Sequence, residues 1–467
     1  MSLTRRCFAQ TLCGLPLPSL LRAAATDDFS DFAQMPWNAP ATVARVYLAG
    51  QPHWPKPTLD IEQEVRDIEA NLAGVARKHA ANVRFTGGEI LHKDGDVRPW
   101  LDQTGPVDGL LIIPLTQPTP ALRVLLDESN VPALFFSRPY ATHSWSAIAG
   151  LRKAGRKLDV AATSSYGDLD PYLRMFRTAH HMKTSKVLVG AATPKGREEA
   201  AAGYSKSYGT RFQFVTGNEF KDAFNATDQR LARAAAEEFT RNALRVIEPK
   251  PQEIEDGLRM YLAMKEMLKR EQANALTIDC FGTLAANTLP GYPCIAWSKF
   301  NDAGLYGVCE GDLHSTMTQL LVTSYSGVPG FVSDPVFDVS RNEVIHAHCV
   351  SATRMKGPHG PASPYIVRDH LETHEGAVMQ VLMPCDETIT VARFNGPGRL
   401  LVSTAFVTGY GDSDRGCRTQ IRTRVSDAEK WLQNFQAGLH RVIFYGDHTR
   451  AIERMGRLMG FEVVAEI

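Results

Sequence analysis

Short apolar runs alternate along the chain with longer amphipathic stretches, and this alternation predicts an α/β protein. Runs over 43–49, 109–115, 133–136, 186–190 and 212–215 read as buried strands, with 61–80 and 228–246 among them as helices. A further helix is predicted over 253–271, entered through Pro249-Lys250-Pro251, and it leads into a strand over 275–279. Strand–helix–strand units of this kind imply parallel sheets with right-handed crossovers. The pattern then changes: 378–383, 388–394 and 400–407 are strand runs with no helical stretch between them. The expected architecture is two Rossmann-like doubly wound domains, over 40–160 and 161–335, followed by a β-rich C-terminal domain over 336–467.

Two breaks in this pattern carry acidic residues. The run 304–308 reads as a short buried strand, and Leu313, Met317, Leu320, Leu321 and Tyr325 then recur at helical spacing, with Asp312 as the natural N-cap. Glu310 lies in the break just ahead of that helix, whose positive end favours an ionised carboxylate. The run 328–333 reads as the next strand, cut off by Pro335 directly after Asp334. Both acids are thereby expected at the carboxyl ends of strands, where open α/β sheets place their ligand clefts. Taken alone, Glu310 and Asp334 serve equally well as caps and turn formers. Taken together, they offer the paired carboxylates that a divalent metal or a proton shuttle needs.

A third segment, AGLHRVIFYGD over 437–447, puts His440 at the start of an apolar strand that Gly446-Asp447 closes before a helix marked by Ile452, Met455, Leu458 and Met459. With PCIAWSKFNDAGLYGVCEGD over 293–312, it resembles the L-fucose isomerase and L-arabinose isomerase family of metal-dependent aldose–ketose isomerases, a resemblance spread over roughly 165–467. The resemblance implies that Glu310 is a metal ligand and acid/base group, Asp334 the second acidic ligand and proton carrier, and His440 the histidine that completes the metal set. His348, in IHAHC over 345–349, matches another histidine of the arabinose branch more loosely, as a fourth ligand or an outer-sphere group. Leu439 stands where family members commonly carry a second histidine beside the last ligand. The family's architecture of two Rossmann-like domains and a β-rich third agrees with the alternation described above. It further implies Mn²⁺ or another divalent cation, an open-chain monosaccharide substrate isomerised through an enediolate, and a homo-oligomer, trimeric or hexameric. The same residues leave open an exported non-catalytic sugar-binding protein, or a metal-dependent sugar epimerase or lyase.

Composition narrows the partners. Lys+Arg and Asp+Glu both number 51, so no global field draws the chain to nucleic acid or an anionic membrane. The basic runs Arg415-Gly416-Cys417-Arg418 and Arg422-Thr423-Arg424 read as a solvated or oligomer-facing surface. Gly87-Gly88 and Gly282 lack the context of a nucleotide-binding loop and read as turns. Neither His180-His181 nor the i, i+4 pair His370 and His374 has an HExxH setting, and Ser324 and Ser326 lack a nucleophile elbow. At the N-terminus, Thr4-Arg5-Arg6-Cys7-Phe8-Ala9-Gln10, a modestly apolar stretch over 12–21 and Arg22-Ala23-Ala24-Ala25 resemble a twin-arginine export signal over 1–25. Too short and polar to remain as a membrane span, it predicts a periplasmic or secreted mature protein with no membrane contact. Cys7 and Cys13 would leave with it, and the other six cysteines show no zinc-ribbon spacing.

Overall fold

The computed structural model describes residues 27–467 apart from 118, 119, 192, 194, 195 and 287, so the export signal expected over 1–25 lies outside the described residues. Strands β1 (Ala41–Leu48), β2 (Val83–Leu91), β3 (Gly109–Pro114), β4 (Ala133–Ser137) and β5 (Leu158–Ala162) form a parallel sheet in the order β2-β1-β3-β4-β5. Because β3 and β4 are buried along their whole length, their sequences are continuous apolar runs, as strands covered on both faces require. β2 is an edge strand that the hydrophobic pattern hid, since Gly87-Gly88 interrupts it. These glycines make a bulge within the strand, and the turn expected there is absent: the register with β1 shifts after Arg45, Gly87 takes φ +69°, and a Cβ on it would lie 2.6 Å from the Arg45 carbonyl oxygen.

A second parallel sheet follows, built from β6 (Lys186–Gly190), β7 (Arg211–Val215), β8 (Ala275–Ile278) and β9 (Tyr306–Cys309) in the order β7-β6-β8-β9. The long helix before β8 spans Pro251–Arg270, with proline at its first position and Glu253 accepting from the Lys250 N–H. Its buried face carries Ile254, Leu258, Tyr261, Met264 and Leu268 at helical spacing.

The remainder is antiparallel: β10 (Phe331–Asp338), β11 (Glu343–His348), a side hairpin of β12 (Tyr365–His370) and β13 (Glu375–Val381), then β14 (Glu387–Phe394), β15 (Arg399–Tyr410), β16 (Thr419–Arg424), β17 (Arg441–Tyr445) and β18 (Glu462–Ala465). The sheet runs β14-β17-β10-β11-β16-β15, and β15 pairs back onto β14, which closes a barrel; β18 lies parallel beside the start of β15. One face of the first sheet joins a core that continues through the second sheet and the barrel, while its other face packs on its own helices.

Two local expectations do not hold. Pro335 does not end its strand, because β10 runs on to Asp338. Phe331, Val332 and Ser333 pair with β17, whereas Asp334 to Asp338 pair with β11 alone, so proline sits where one edge of the strand has lost its neighbour. Asp334 consequently belongs to an antiparallel barrel strand and not to the carboxyl end of a parallel one. His370 and His374, spaced as on a helix, instead flank a hairpin turn in which His374 has φ +55°. Among the described residues no helix is long and apolar enough to cross a membrane.

Candidate active site

β9 ends at Cys309, and the two residues after it, Glu310 and Gly311, both lie in the left-handed region, with φ +61° and +63°. This reversal swings the Glu310 side chain out of the strand line. Left-handed geometry costs a non-glycine residue roughly 1–2 kcal/mol, and such positions concentrate at functional sites. Asp312 then caps the buried helix Leu313–Ser326, accepting from the N–H groups of His314 at 2.9 Å and Ser315 at 3.1 Å.

Asp312 does more than the cap its sequence position suggests. Its Oδ2 accepts from Arg393 Nη1 at 2.6 Å, Ser315 Oγ at 2.7 Å and His440 Nδ1 at 2.8 Å. Burial alone would raise this carboxyl, but the Arg393 charge and the His440 hydrogen bond hold it well below the usual carboxylate range. An ionised acceptor at Nδ1 keeps the hydrogen on that nitrogen and turns Nε2 of His440 into the site. Nothing local in the sequence joins residue 312 to residue 440; the cap signal alone pointed to Asp312.

Around His440 Nε2 gather the other three expected residues. Glu310 Oε2 lies 3.3 Å from it and Asp334 Oδ1 3.4 Å, while His348 Nε2 lies 3.7 Å from Glu310 Oε1. Asp334 Oδ1, His348 Nε2 and His440 Nε2 are buried without an aligned hydrogen-bond partner. Buried polar atoms are normally paired, and three that converge beside a carboxylate call for a partner from outside the chain. Burial, reinforced by the charges of Glu310 and Glu372 against that of His440, pushes Asp334 up to about 6. For Glu310 burial is outweighed by the close approach of His440, so it falls below its ordinary value. Two neighbouring carboxyls with separated protonation are what an acid and a base need. Burial would lower His440, yet its bond to Asp312 and the nearby Glu310 carboxylate carry it up to about 10.

The two histidines are held in opposite senses. His348 Nδ1 accepts the backbone N–H of Cys349 at 2.8 Å. Burial and the neighbouring His440 push His348 down to about 3, so its imidazole is neutral and carries its hydrogen on Nε2. By distance the tightest set is Glu310, His348 and His440, whose ligand atoms lie within 4.8 Å of one another. Hydrogen bonding separates them: with its Nδ1 accepting, the neutral His348 ring keeps its hydrogen on Nε2, whereas Asp312 holds the hydrogen of His440 on Nδ1, so that a cation can displace the proton at Nε2. His348 thus faces the site as a donor.

Of the other histidines singled out by the sequence, His370 lies near enough to feel the charge of Glu310, and the rest are engaged elsewhere. His180 pairs with Asp108 at 2.9 Å, His181 bonds the Trp37 carbonyl at 3.0 Å, and His374 pairs with Asp369 at 3.1 Å. Leu439, next to His440, is 57% exposed.

No family model matches the chain. It is 23% identical over 206 residues to the sulfoquinovose isomerases of Priestia aryabhattai and Priestia megaterium, a match covering 43% of this chain and 45% of each relative. To the sulfoquinovose isomerase of a Clostridium species it is 26% identical over 190 residues, 39% of this chain and 41% of the relative. The chain thus spans less than half the length of the curated relatives it matches, and over that part it is similar to sugar isomerases.

Proposed function

We propose that this protein is a divalent-cation-dependent aldose–ketose isomerase acting on an open-chain monosaccharide. The observation that carries the proposal is the convergence of three buried, unpaired polar atoms beside Glu310, two of them, Asp334 Oδ1 and His440 Nε2, suited to bind a cation, and the partial similarity to sugar isomerases supports the reaction class. Glu310, Asp334 and His440 would hold Mn²⁺ or a similar cation, since two carboxylates and an imidazole suit a hard to borderline metal. When bound, the cation supplies positive charge against which a developing enediolate is stabilised. Glu310 and Asp334 pass the proton between C2 and C1 of the sugar. Asp312 fixes the orientation of His440, Arg393 holds Asp312, and His348 donates its Nε2 hydrogen to a substrate oxygen. The finer likeness to fucose and arabinose isomerases rests on the 293–312 segment, Asp334 and His440; with it come an expected homo-oligomer and, from the 1–25 segment, a periplasmic or secreted location.

The opposite hydrogen bonding of the two histidines makes the site testable by cation titration. His440→Ala should abolish measurable Mn²⁺ binding by calorimetry, whereas His348→Ala should weaken it by no more than the about 10–100-fold typical of groups outside the ligand set. Equal losses would make His348 a ligand. Unchanged Mn²⁺ binding by His440→Ala would remove the proposed site.

A further inference from the structure

Glu310 holds a left-handed conformation at the end of a short strand, so something must keep its turn in place. The side chain that reaches it is Arg197, the first residue of the helix Arg197–Tyr208 that follows β6. Its Nε donates to the Gly311 carbonyl at 3.2 Å, and its Nη2 lies 3.5 Å from the Glu310 carbonyl. Nη2 is also 3.2 Å from Asp279 Oδ2, and Nη1 donates to the Thr193 carbonyl at 3.2 Å. Asp279 is itself fixed, since its Oδ1 accepts the Gly282 N–H at 3.2 Å as it caps the next helix. The guanidinium therefore links the segments that leave β6, β8 and β9, three neighbouring strands of the second sheet, at their carboxyl ends. The fit is close. A Cβ on Gly311 would lie 2.6 Å from Arg197 Nε, and φ +63° there already disfavours any side chain.

We propose that Arg197 is a positioning residue: it ties the carbonyls of Glu310 and Gly311 to Asp279 and so holds the Glu310 carboxylate in place opposite Asp334 and His440. The inference rests on the cation-dependent reading of that site. The geometry favours positioning over stabilisation, because the Arg197 and Asp279 side chains are 24% and 20% exposed and a partly solvated pair contributes little to global stability. A lysine could satisfy one carbonyl but lacks the planar fork needed to bridge two carbonyls and a carboxylate.

The test is Mn²⁺ titration of the full-length wild type, Arg197→Lys and Arg197→Met by calorimetry, with the melting temperature of each protein measured without metal. Arg197→Met should lose Mn²⁺ affinity by about 10–100-fold, as removal of outer-sphere supports does, and Arg197→Lys should fall between it and wild type. Melting temperatures should stay within about 2 °C of one another. Wild-type affinity in Arg197→Met overturns the positioning role. So does an affinity loss accompanied by a large drop in melting temperature that lysine does not relieve, since that pattern describes a structural residue. A wild type that binds no Mn²⁺ overturns the cation site itself, and the role of Arg197 with it.

Discussion

Glu310→Gln should lower turnover by about 10²–10⁴-fold at saturating Mn²⁺ while leaving sugar affinity nearly unchanged. Glutamine keeps the size of the side chain and a polar end group facing the His440 and His348 nitrogens, which lie 3.3 and 3.7 Å from the two carboxylate oxygens. It cannot take up a proton at neutral pH, and glutamate here is held in its ionised form. The charge lost from the cation site is compensated by excess Mn²⁺, with Asp334 and His440 still in place. Steady-state kinetics combined with equilibrium sugar binding separate the two effects. A variant that retains at least a third of wild-type turnover would mean that another group moves the proton.

Asp312→Asn should have the next largest effect, and on two observables. The buried carboxylate is the shared partner of Arg393, Ser315 and His440, so its neutralisation leaves the Arg393 charge without a counterion inside the fold. Breaking a buried pair from one side typically costs about 3–5 kcal/mol, which urea unfolding of the variant would register directly. The amide can also present its NH₂ group to His440 Nδ1, which releases the ring from the orientation that aims Nε2 at Glu310 and Asp334. Mn²⁺ affinity should then fall by about 10–100-fold. Normal stability together with normal Mn²⁺ binding would mean that Asp312 is an ordinary helix cap.

Much of this site was legible because its residues interrupt local patterns. Glu310 stands between a strand run and a helical repeat, and that break survives in the fold as a left-handed turn. His440 directly precedes an apolar strand, as β17 confirms. For Asp334 the family resemblance points to the site but the local pattern misplaces it: β10 continues through Pro335 because it changes neighbours there, and pairing between distant strands is invisible to a local pattern. The same limit hid the barrel order, in which strands far apart in sequence are adjacent. It also hid Arg197, whose partners at 279, 310 and 311 are joined to it only by the stacking of β6, β8 and β9. The distinction between His348 and His440 is tertiary on one side only, since it depends on which atom meets each Nδ1: the neighbouring Cys349 amide in one case and a carboxylate over a hundred residues away in the other.

The central claim, that these residues perform cation-dependent proton transfer on a sugar, is tested most directly by proton NMR in D₂O. Metal-stripped and Mn²⁺-loaded protein, the latter quenched and freed of Mn²⁺ before each spectrum, would be incubated with a panel of aldoses and ketoses including a sulfonated hexose. For at least one sugar the loaded protein should convert aldose to ketose with solvent deuterium entering at the carbon that exchanges its proton, and the stripped protein should do neither. A protein that binds Mn²⁺ and sugar yet catalyses no conversion and no exchange with any of them would contradict the account and leave a sugar-binding protein in its place.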